Sequence, residues 1–363
     1  MCGMMGGHNR KESPSMSLRR AFLKNSLGMT LTVFDRGGTA VSLTAPDREG
    51  RLRDVLLGVD DPAYLGRDYI GALIGRVGNR IRRGTFRLDG RTYHATLNDG
   101  KGPKGPVNTL HGGVEGFDSR IWSMREFQAP DGPALELTLL SPDGDQGFPG
   151  NLSVRVVYTL TDAGAWRIEY WAVTDRPTPV SLTNHAYFNL SGDLSKPVTD
   201  HVLTLDASGF DSTDAQLIAA GKVRPVDGTP FDFRKPHPIG ERIDAKDPDL
   251  RHGKGYDCNF RIDREGAAPG ELVRFARVEE PETGRAMEGW TTLPGVQLYT
   301  GNCLRPDHIV LKGGVPAGFR TGFCLETQFP PNVVNHPDFD GSCILRPGEV
   351  WHHVTEYRFS TLP

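Results

Sequence analysis

Short segments in which apolar and polar residues alternate run along most of the chain. Residues 154–160 and 166–170 place aliphatic and aromatic side chains at every second position, and most of the residues between them are polar. This period of two is typical of β-strands that bury one face and expose the other. Residues 135–139 and 202–205 repeat it, whereas no helical period persists over three turns. The pattern predicts an all-β protein built as a large antiparallel β-sandwich.

Turn residues support the same fold. The chain contains 44 Gly and 27 Pro, which separate the alternating segments. Residues 86–93 predict a hairpin joined by Asp89 and Gly90, because both central positions of a type I′ turn need positive φ. The apolar stretch 27–34 follows a twin-arginine pair but alternates like a strand. No run approaches the roughly 20 apolar residues that a membrane span requires, so we expect no membrane partner.

The sequence predicts one folded domain, from residue 18 to residue 363. Residues 1–17 are rich in Met, Gly and Ser and show no period, so we expect a disordered N-terminal tail. Two segments rich in Pro, Gly and charge, 101–106 and 234–249, lie between predicted strands. Neither is long enough to separate two domains.

The charge balance limits the kinds of partner. Lys and Arg total 42 against 45 Asp and Glu, which gives a formal net charge of -3. This balance lacks the basic excess that nucleic-acid binding requires, and it suits a neutral, polar small molecule. The five cysteines include no CxxC pair, which argues against a Cys-based zinc site and favours a reducing, cytoplasmic location. A monomer and a homodimer both remain open.

Six short stretches combine ionisable side chains with Gly, Asn and aromatic residues. Charged groups beside apolar residues in predicted strands need a reason, because burying an unpaired charge is unfavourable. A site lined by hydrogen-bond donors and acceptors is one such reason, and sugar hydroxyls are ligands that suit this lining. The stretches are GRVGNRI (75–81), NTLHGGVEGFD (108–118), TNHAYFNL (183–190), GYDCNF (255–260), PGVQLYTGN (294–302) and LETQFPPNVVNHP (325–337).

Each polar residue in these stretches also has an ordinary structural explanation. His111 beside two glycines can hydrogen-bond a tight turn, and Asn79 can occupy a left-handed backbone position. Glu326 is harder to explain, because apolar residues both precede and follow it. It is either the ion-pair partner of an arginine such as Arg80 or Arg320, or a base whose pKa is tuned.

The six stretches, in this order, resemble the aldose 1-epimerase family, also called galactose mutarotases. The resemblance covers the chain from about residue 24 onward. It implies an antiparallel β-supersandwich that binds a sugar in an open cleft, with neither a metal nor an organic cofactor. It also implies that Glu326 is the general base and His185 the general acid. The substrate-binding positions that it implies are Asn79, Arg80, His111, Tyr187, Asp257 and Gln297.

Two positions depart from the family pattern. Family members commonly carry His where this chain has Cys258, and Ala where it has Gly78. The first departure puts the hydrogen bonding near Asp257 in question, although it leaves the carboxylate in place.

The implied activity is the interconversion of the α and β anomers of a free hexose such as galactose or glucose. Ring opening needs a base that takes the C1 hydroxyl proton and an acid that protonates the ring oxygen. We therefore expect a protonated His185 and an ionised Glu326, with Asp257 favouring the imidazolium. Three alternatives stay open: a glycosidase with a carboxylate pair, a non-catalytic sugar-binding protein and a hexose-6-phosphate 1-epimerase.

Overall fold

The computed structural model describes residues 18–336, 339 and 342–363. The tail predicted for residues 1–17 lies outside them, so the domain boundary at residue 18 stays a prediction. The described residues form one α-helix, α1 (Pro248–Gly253), and 26 β-strands. In chain order the strands are β1 (Arg20–Lys24), β2 (Thr30–Phe34), β3 (Thr39–Pro46), β4 (Leu52–Asp54), β5 (Leu73–Ile74), β6 (Arg80–Ile81), β7 (Thr85–Leu88), β8 (Arg91–His94), β9 (Thr109–Leu110), β10 (Ser123–Ala129), β11 (Gly132–Ser141), β12 (Leu152–Leu160), β13 (Ala165–Thr174), β14 (Thr178–Pro179), β15 (Thr183–Asn184), β16 (Val202–Leu205), β17 (Gly209–Thr213), β18 (Ala219–Pro225), β19 (His237–Pro238), β20 (Asp257–Arg261), β21 (Val273–Glu279), β22 (Arg285–Thr291), β23 (Gly295–Tyr299), β24 (Cys324–Gln328), β25 (Ile344–Leu345) and β26 (Trp351–Thr361).

Most of the strands join three antiparallel sheets. The largest has nine strands in the order β10, β11, β12, β13, β26, β22, β21, β16, β19. The second has five strands in the order β18, β17, β20, β23, β24, and the third contains β1 to β4 in sequence order. Four further pairs are β14 with β25, β15 with β5, β6 with β9, and β7 with β8.

The nine-stranded and five-stranded sheets pack against each other where β26 meets β24. The hydroxyl of Tyr357 on β26 donates to the carbonyl oxygen of Leu325 on β24, at 2.7 Å. Buried side chains of both sheets belong to one hydrophobic cluster, which extends along the chain from Ala21 to Phe359. The prediction of an all-β, single-domain protein with a large antiparallel β-sandwich is therefore confirmed.

The strongest local predictions are also confirmed. The two consecutive alternating segments form β12 and β13, which pair antiparallel along their length. The predicted hairpin is β7 with β8, in which Leu88 pairs with Arg91. Asp89 and Gly90 join the strands with φ values of 48° and 78°, as a type I′ turn requires. The alternating stretch at 27–34 contains β2.

The alternation along β20, β23 and β24 gives the five-stranded sheet one apolar face and one polar face. Leu325 of β24 belongs to the core, so its neighbour Glu326 points to the opposite face. In the strand register, Glu326 lies opposite Gln297, and Gln297 lies opposite Asn259. This period of two is why charged and apolar residues are neighbours in these sequence stretches. The polar face carries Asp257, Asn259, Gln297, Tyr299, Cys324, Glu326 and Gln328.

The helix α1 lies just before β20 and is only six residues long. The side chain of Asp247 accepts from the backbone N–H of Asp249 at its start, and Lys254 ends it in a left-handed conformation. Within the described part of the chain, no helix is long and apolar enough to span a membrane.

Candidate active site

Glu326 lies on the polar face of β24 and is only 3% exposed. The ion-pair explanation for it is wrong, because both candidate arginines bind other carboxylates. Arg80 Nε lies 2.8 Å from Asp99, and Arg320 Nη2 lies 2.7 Å from Asp244. The Oε2 atom of Glu326 is buried and makes no hydrogen bond to any described residue. A buried polar atom in this state points to a ligand that completes its hydrogen bonds.

His185 faces this carboxyl group from the residue after β15. Its Nε2 atom lies 3.6 Å from Oε1 of Glu326. The backbone N–H of His185 donates to the carbonyl of Ala72 at 2.9 Å, and its carbonyl accepts from Gly71 at 2.9 Å. The sequence stretch that carries His185 is therefore fixed to the stretch that precedes β5, which holds the imidazole in place beside the carboxyl.

Burial moves the pKa values of this pair in opposite directions. It lowers the pKa of His185 to about 4. It raises the pKa of Glu326 well above its usual value, and the nearby Asp257 carboxylate adds to that rise while Arg80 opposes it. Without a bound sugar, Glu326 therefore binds a proton more strongly than His185 does. Burial thus opposes the protonated His185 and ionised Glu326 that the reaction requires, and neither group receives enough compensating charge to offset its loss of solvation.

His111 and Asn79 bind each other through two hydrogen bonds. The backbone N–H of Asn79 donates to Nδ1 of His111 at 3.2 Å, and the backbone N–H of His111 donates to the carbonyl of Asn79 at 3.0 Å. Both residues have left-handed backbones, with φ of 51° for His111 and 56° for Asn79. Burial holds the pKa of His111 well below its usual value. The neutral ring therefore carries its proton on Nε2, which makes that atom a hydrogen-bond donor.

Arg80, Asp257 and Gln297 form the charged side of the site. Gln297 Nε2 donates to Asp257 Oδ1 at 2.7 Å, which links β23 to the start of β20. Although burial opposes its charged form, Asp99 and Asp257 together raise the pKa of Arg80. Burial also raises the pKa of Asp257. Asp257 thus acts on both Glu326 and Arg80.

Tyr187 lies beside His185, with 5.0 Å between the two ring centroids. It is 2% exposed, and its hydroxyl donates to the carbonyl of Asp68 at 3.2 Å. Its ring therefore supports the imidazole, while its role in binding substrate stays a prediction. The structure thus brings Glu326 and His185 together with all the residues that the sequence predicted to bind sugar.

Three residues that sequence reasoning missed also belong to this region. Asp99 binds Arg80, Tyr69 packs on both site histidines, and the Sγ atom of Cys324 lies 3.5 Å from Nδ1 of His185. The strand period places Cys324 on the same face as Glu326, so that signal was available in the sequence. Asp99 and Tyr69 lie in irregular segments, where no period predicts the direction of a side chain.

The donor set of the site bears on metal binding. His111, His185 and Glu326 each offer an atom, and these atoms lie within 4.8 Å of one another. A histidine ligand must present an unprotonated nitrogen to the metal. Because Nδ1 of His111 already accepts from Asn79, its Nε2 carries the proton and cannot act as a ligand. The set fits a sugar hydroxyl, which accepts from Nε2–H, better than a metal ion.

The two departures from the family pattern have little effect on this face. Cys258 is 2% exposed and belongs to the hydrophobic core, on the opposite side of β20 from Asp257. A Cβ atom on Gly78 would lie 3.2 Å from the side chain of Thr183, a tight contact without a clash. The hydrogen bonding of Asp257 is therefore independent of the Cys258 side chain.

A cavity of about 570 Å³ lies elsewhere, between α1 and Phe319. It is lined by Lys246, Arg251, Lys254 and other residues, and it shares none of them with the cluster around Glu326. The cluster, unlike the lining of this cavity, joins a carboxyl and an imidazole with strongly shifted pKa values, which makes it the candidate active site.

Comparisons with known proteins bear on the family of this chain. The family model described as aldose 1-epimerase matches residues 19–358. The galactose mutarotase of Bos taurus is 42% identical over 337 residues, which is 92% of this chain and 91% of the relative. The aldose 1-epimerase of Escherichia coli K12 is 39% identical over 340 residues, covering 93% and 94% of the two chains.

Solved structures give the same result. An aldose epimerase homologue from C. elegans superposes with a TM-score of 0.84 at 29% identity, covering 96% of this chain and 100% of the other. A galactose 1-epimerase from Lactobacillus acidophilus superposes with a TM-score of 0.80 at 26% identity, covering 97% of each chain. The polar face of β20, β23 and β24, the matched family model and these relatives lead to one conclusion: the chain belongs to the aldose 1-epimerase family.

Proposed function

We propose that this protein is an isomerase that interconverts the α and β anomers of a free hexose, with Glu326 as general base and His185 as general acid. The observation that carries this proposal is the buried pair itself, in which Nε2 of His185 lies 3.6 Å from Oε1 of Glu326. At this separation, Glu326 and His185 can contact the C1 hydroxyl and the ring oxygen of the same sugar, as acid–base ring opening requires. The curated relatives are named galactose mutarotase and aldose 1-epimerase, which makes galactose the first sugar to test.

The reaction needs one base and one acid at the same C–O bond. Glu326 removes the proton of the C1 hydroxyl as the bond between C1 and the ring oxygen breaks, and His185 protonates that oxygen. The open-chain aldehyde then rotates about its C1–C2 bond. Ring closure on the other face returns the proton of the ring oxygen to His185 and the proton of Glu326 to the C1 oxygen. The cycle consumes no reagent and leaves the pair in its starting state.

A bound sugar supplies the hydrogen bonds that the reactive charge state needs. The uncharged pair and the ion pair hold the same single proton, so they differ only in where that proton resides. A sugar hydroxyl that donates to the carboxylate, and a ring oxygen that accepts from the imidazolium, both favour the charged forms. Sugar binding therefore moves the proton from Glu326 to His185. Asn79, Arg80, His111, Asp257 and Gln297 would hold the other hydroxyls in the reactive geometry.

Two alternatives fit the site less well. A glycosidase commonly uses a pair of carboxyl groups, whereas the partner of Glu326 here is His185. A hexose 6-phosphate needs cations that are available to bind the phosphate. Arg80, the cation whose charge acts on Glu326, is already paired with Asp99.

Polarimetry of freshly dissolved α-galactose and α-glucose tests the proposal. We expect Glu326→Gln and His185→Gln each to lower the enzymatic rate by about 10² to 10⁴-fold, the usual contribution of a general acid or base. Glu241→Gln and His237→Gln are the matched controls, since these two residues form a surface pair at 2.9 Å. A wild-type rate equal to spontaneous anomer exchange with both sugars would refute the proposed function.

We also propose that the sugar is the main partner, that no nucleic acid or membrane is bound, and that the protein acts in the cytoplasm as a monomer or homodimer. Light scattering of the purified protein would decide its oligomeric state.

A further inference from the structure

Tyr69 packs against both histidines of the site. Its ring centroid lies 4.6 Å from that of His111, with an interplanar angle of 62°, and 5.8 Å from that of His185, at 29°. The tyrosine is 9% exposed. Among the described residues, Tyr69 is thus the only aromatic side chain that contacts both imidazole rings, which also contact each other.

The backbone at Tyr69 is strained. Asp68 and Tyr69 have consecutive left-handed conformations, with φ of 46° and 56°. A bulky side chain at positive φ costs on the order of 1–3 kcal/mol, and such strain persists only where surrounding contacts fix it. Here the Tyr187 hydroxyl binds the carbonyl of Asp68, and Gly71 donates to the carbonyl of His185. The fold therefore holds Tyr69 in this orientation at a cost, which suggests a function for its side chain.

The hydroxyl of Tyr69 has no partner within the described part of the chain. The oxygen atom makes no hydrogen bond to any of those residues. It is also not completely buried, unlike the unpaired polar atoms of the protein interior. It therefore reaches space that a ligand can enter. Burial raises the pKa of the phenol, so the hydroxyl stays protonated and can donate. The charges of Asp118, Asp99 and Arg80 act on it, which places it on the charged side of the site.

We propose that the Tyr69 hydroxyl donates a hydrogen bond to a hydroxyl group of the bound hexose, and that the Tyr69 ring orients His111 and His185. This inference rests on the proposed function and adds a sugar-contacting residue to it. The ring excludes water from both imidazoles, while the hydroxyl completes its hydrogen bonding only when the sugar is present.

The variant Tyr69→Phe tests the hydroxyl, because it keeps the ring. Loss of one hydrogen bond to substrate should raise the dissociation constant for galactose, measured by calorimetry, by about 3- to 10-fold. KM should rise by the same factor while kcat stays within about two-fold, the signature of lost uniform binding. Tyr93→Phe is the matched control, since Tyr93 stacks on Phe86 in a separate cluster. An unchanged dissociation constant for Tyr69→Phe would overturn the inference.

A series of monodeoxy galactoses identifies the partner hydroxyl. Each member lacks the oxygen at position 1, 2, 3, 4 or 6. One of them should bind to the wild type more weakly than galactose does, but should bind to Tyr69→Phe as tightly as galactose does. If the losses from the variant and from every deoxy sugar simply add, no single hydroxyl is the partner and the inference fails.

The variant Tyr69→Leu tests the ring. Water admitted to His185 should return its pKa from about 4 toward its ordinary value and should move the acid limb of the kcat/KM profile upward. An unchanged limb, in a variant with a wild-type melting temperature, would contradict the positioning role. Wild type that neither binds galactose nor accelerates its exchange would instead refute the proposed function, which separates the two failures.

Discussion

At the scale of single residues, Glu326 and His185 are governed by their removal from water. The carboxyl is 3% exposed and the imidazole 4%. Burial disfavours the charged form of each group, which raises the pKa of Glu326 and lowers the pKa of His185. The two groups therefore share one proton at pH values between the pKa of His185, about 4, and the raised pKa of Glu326. A pair in this state can supply an acid and a base at the same pH, as mutarotation requires.

This shared proton predicts the pH dependence of the reaction. The pair is active when it holds one proton. At low pH it binds a second proton, on His185, whose pKa is about 4. We expect kcat/KM for galactose to stay nearly constant from about pH 7 down to about pH 5, after subtraction of the spontaneous rate at each pH. Polarimetry across this range provides the measurement. A fall in kcat/KM centred on pH 6.5, the ordinary value for histidine, would show that the imidazole is not desolvated as described.

At the scale of elements, the turn after β9 decides where His111 points. Gly112 has a φ of 88°, and a Cβ atom there would lie 1.8 Å from the carbonyl oxygen of Gly75. The turn between β7 and β8 has similar backbone geometry, since Gly90 has a φ of 78°, but no atom lies within 4 Å of its Cβ direction. The two positions thus separate the effect of backbone conformation from that of close packing.

We expect Gly90→Ala to lower the free energy of unfolding by about 1 kcal/mol, the effect of positive φ alone. Gly112→Ala should lower it by at least about 2 kcal/mol more, because the backbone of Gly75 must move. It should also lower mutarotation activity, since His111 adjoins the displaced turn. Urea unfolding and polarimetry of both variants test this. Equal losses of stability would mean that the turn moves freely to admit a methyl group.

At the scale of the whole molecule, burial of neutral histidines couples stability to pH. Burial lowers the pKa of His185, His201 and His353 to about 4 in each case. Outside the active site, His201 accepts from the backbone N–H of Leu190 at 2.9 Å. The unfolded chain binds a proton at each of these residues below about pH 6.5, whereas the folded protein does not until about pH 4. The free energy of unfolding therefore falls as the pH drops through this window.

For His201, this shift corresponds to about 3 kcal/mol between pH 6.5 and pH 4. We expect His201→Gln, which keeps a hydrogen-bond acceptor, to be less stable than wild type at pH 7 but to lose less stability on acidification. Urea midpoints at several pH values measure this slope, and the exposed His94→Gln serves as the control. Parallel slopes for His201→Gln and wild type would mean that His201 is protonated in the folded protein.

The residues that sequence analysis found and missed follow a physical rule. Glu326, Gln297 and Asp257 stood out because a strand shows its two faces in a period of two. Tyr69 and Asp99 lie in irregular segments, where the direction of a side chain depends on contacts distant in the chain. The pKa shifts of His185 and Glu326 could not be predicted from the sequence for a related reason, since desolvation is a property of the assembled site and not of its neighbours in sequence.

The sequence by itself determined the all-β class, the β7–β8 hairpin and the family, because each depends on local period, turn chemistry or ordered motifs. Only the tertiary structure decided that Arg80 pairs with Asp99, that His185 faces Glu326 and that Tyr69 contacts two imidazoles. These facts depend on contacts between separate segments: Arg80 and Asp99 are 19 residues apart in the chain, and His185 and Glu326 are more than a hundred apart. Pairing and desolvation arise only when that packing removes water, and both the charges and the chemistry of the site follow from it.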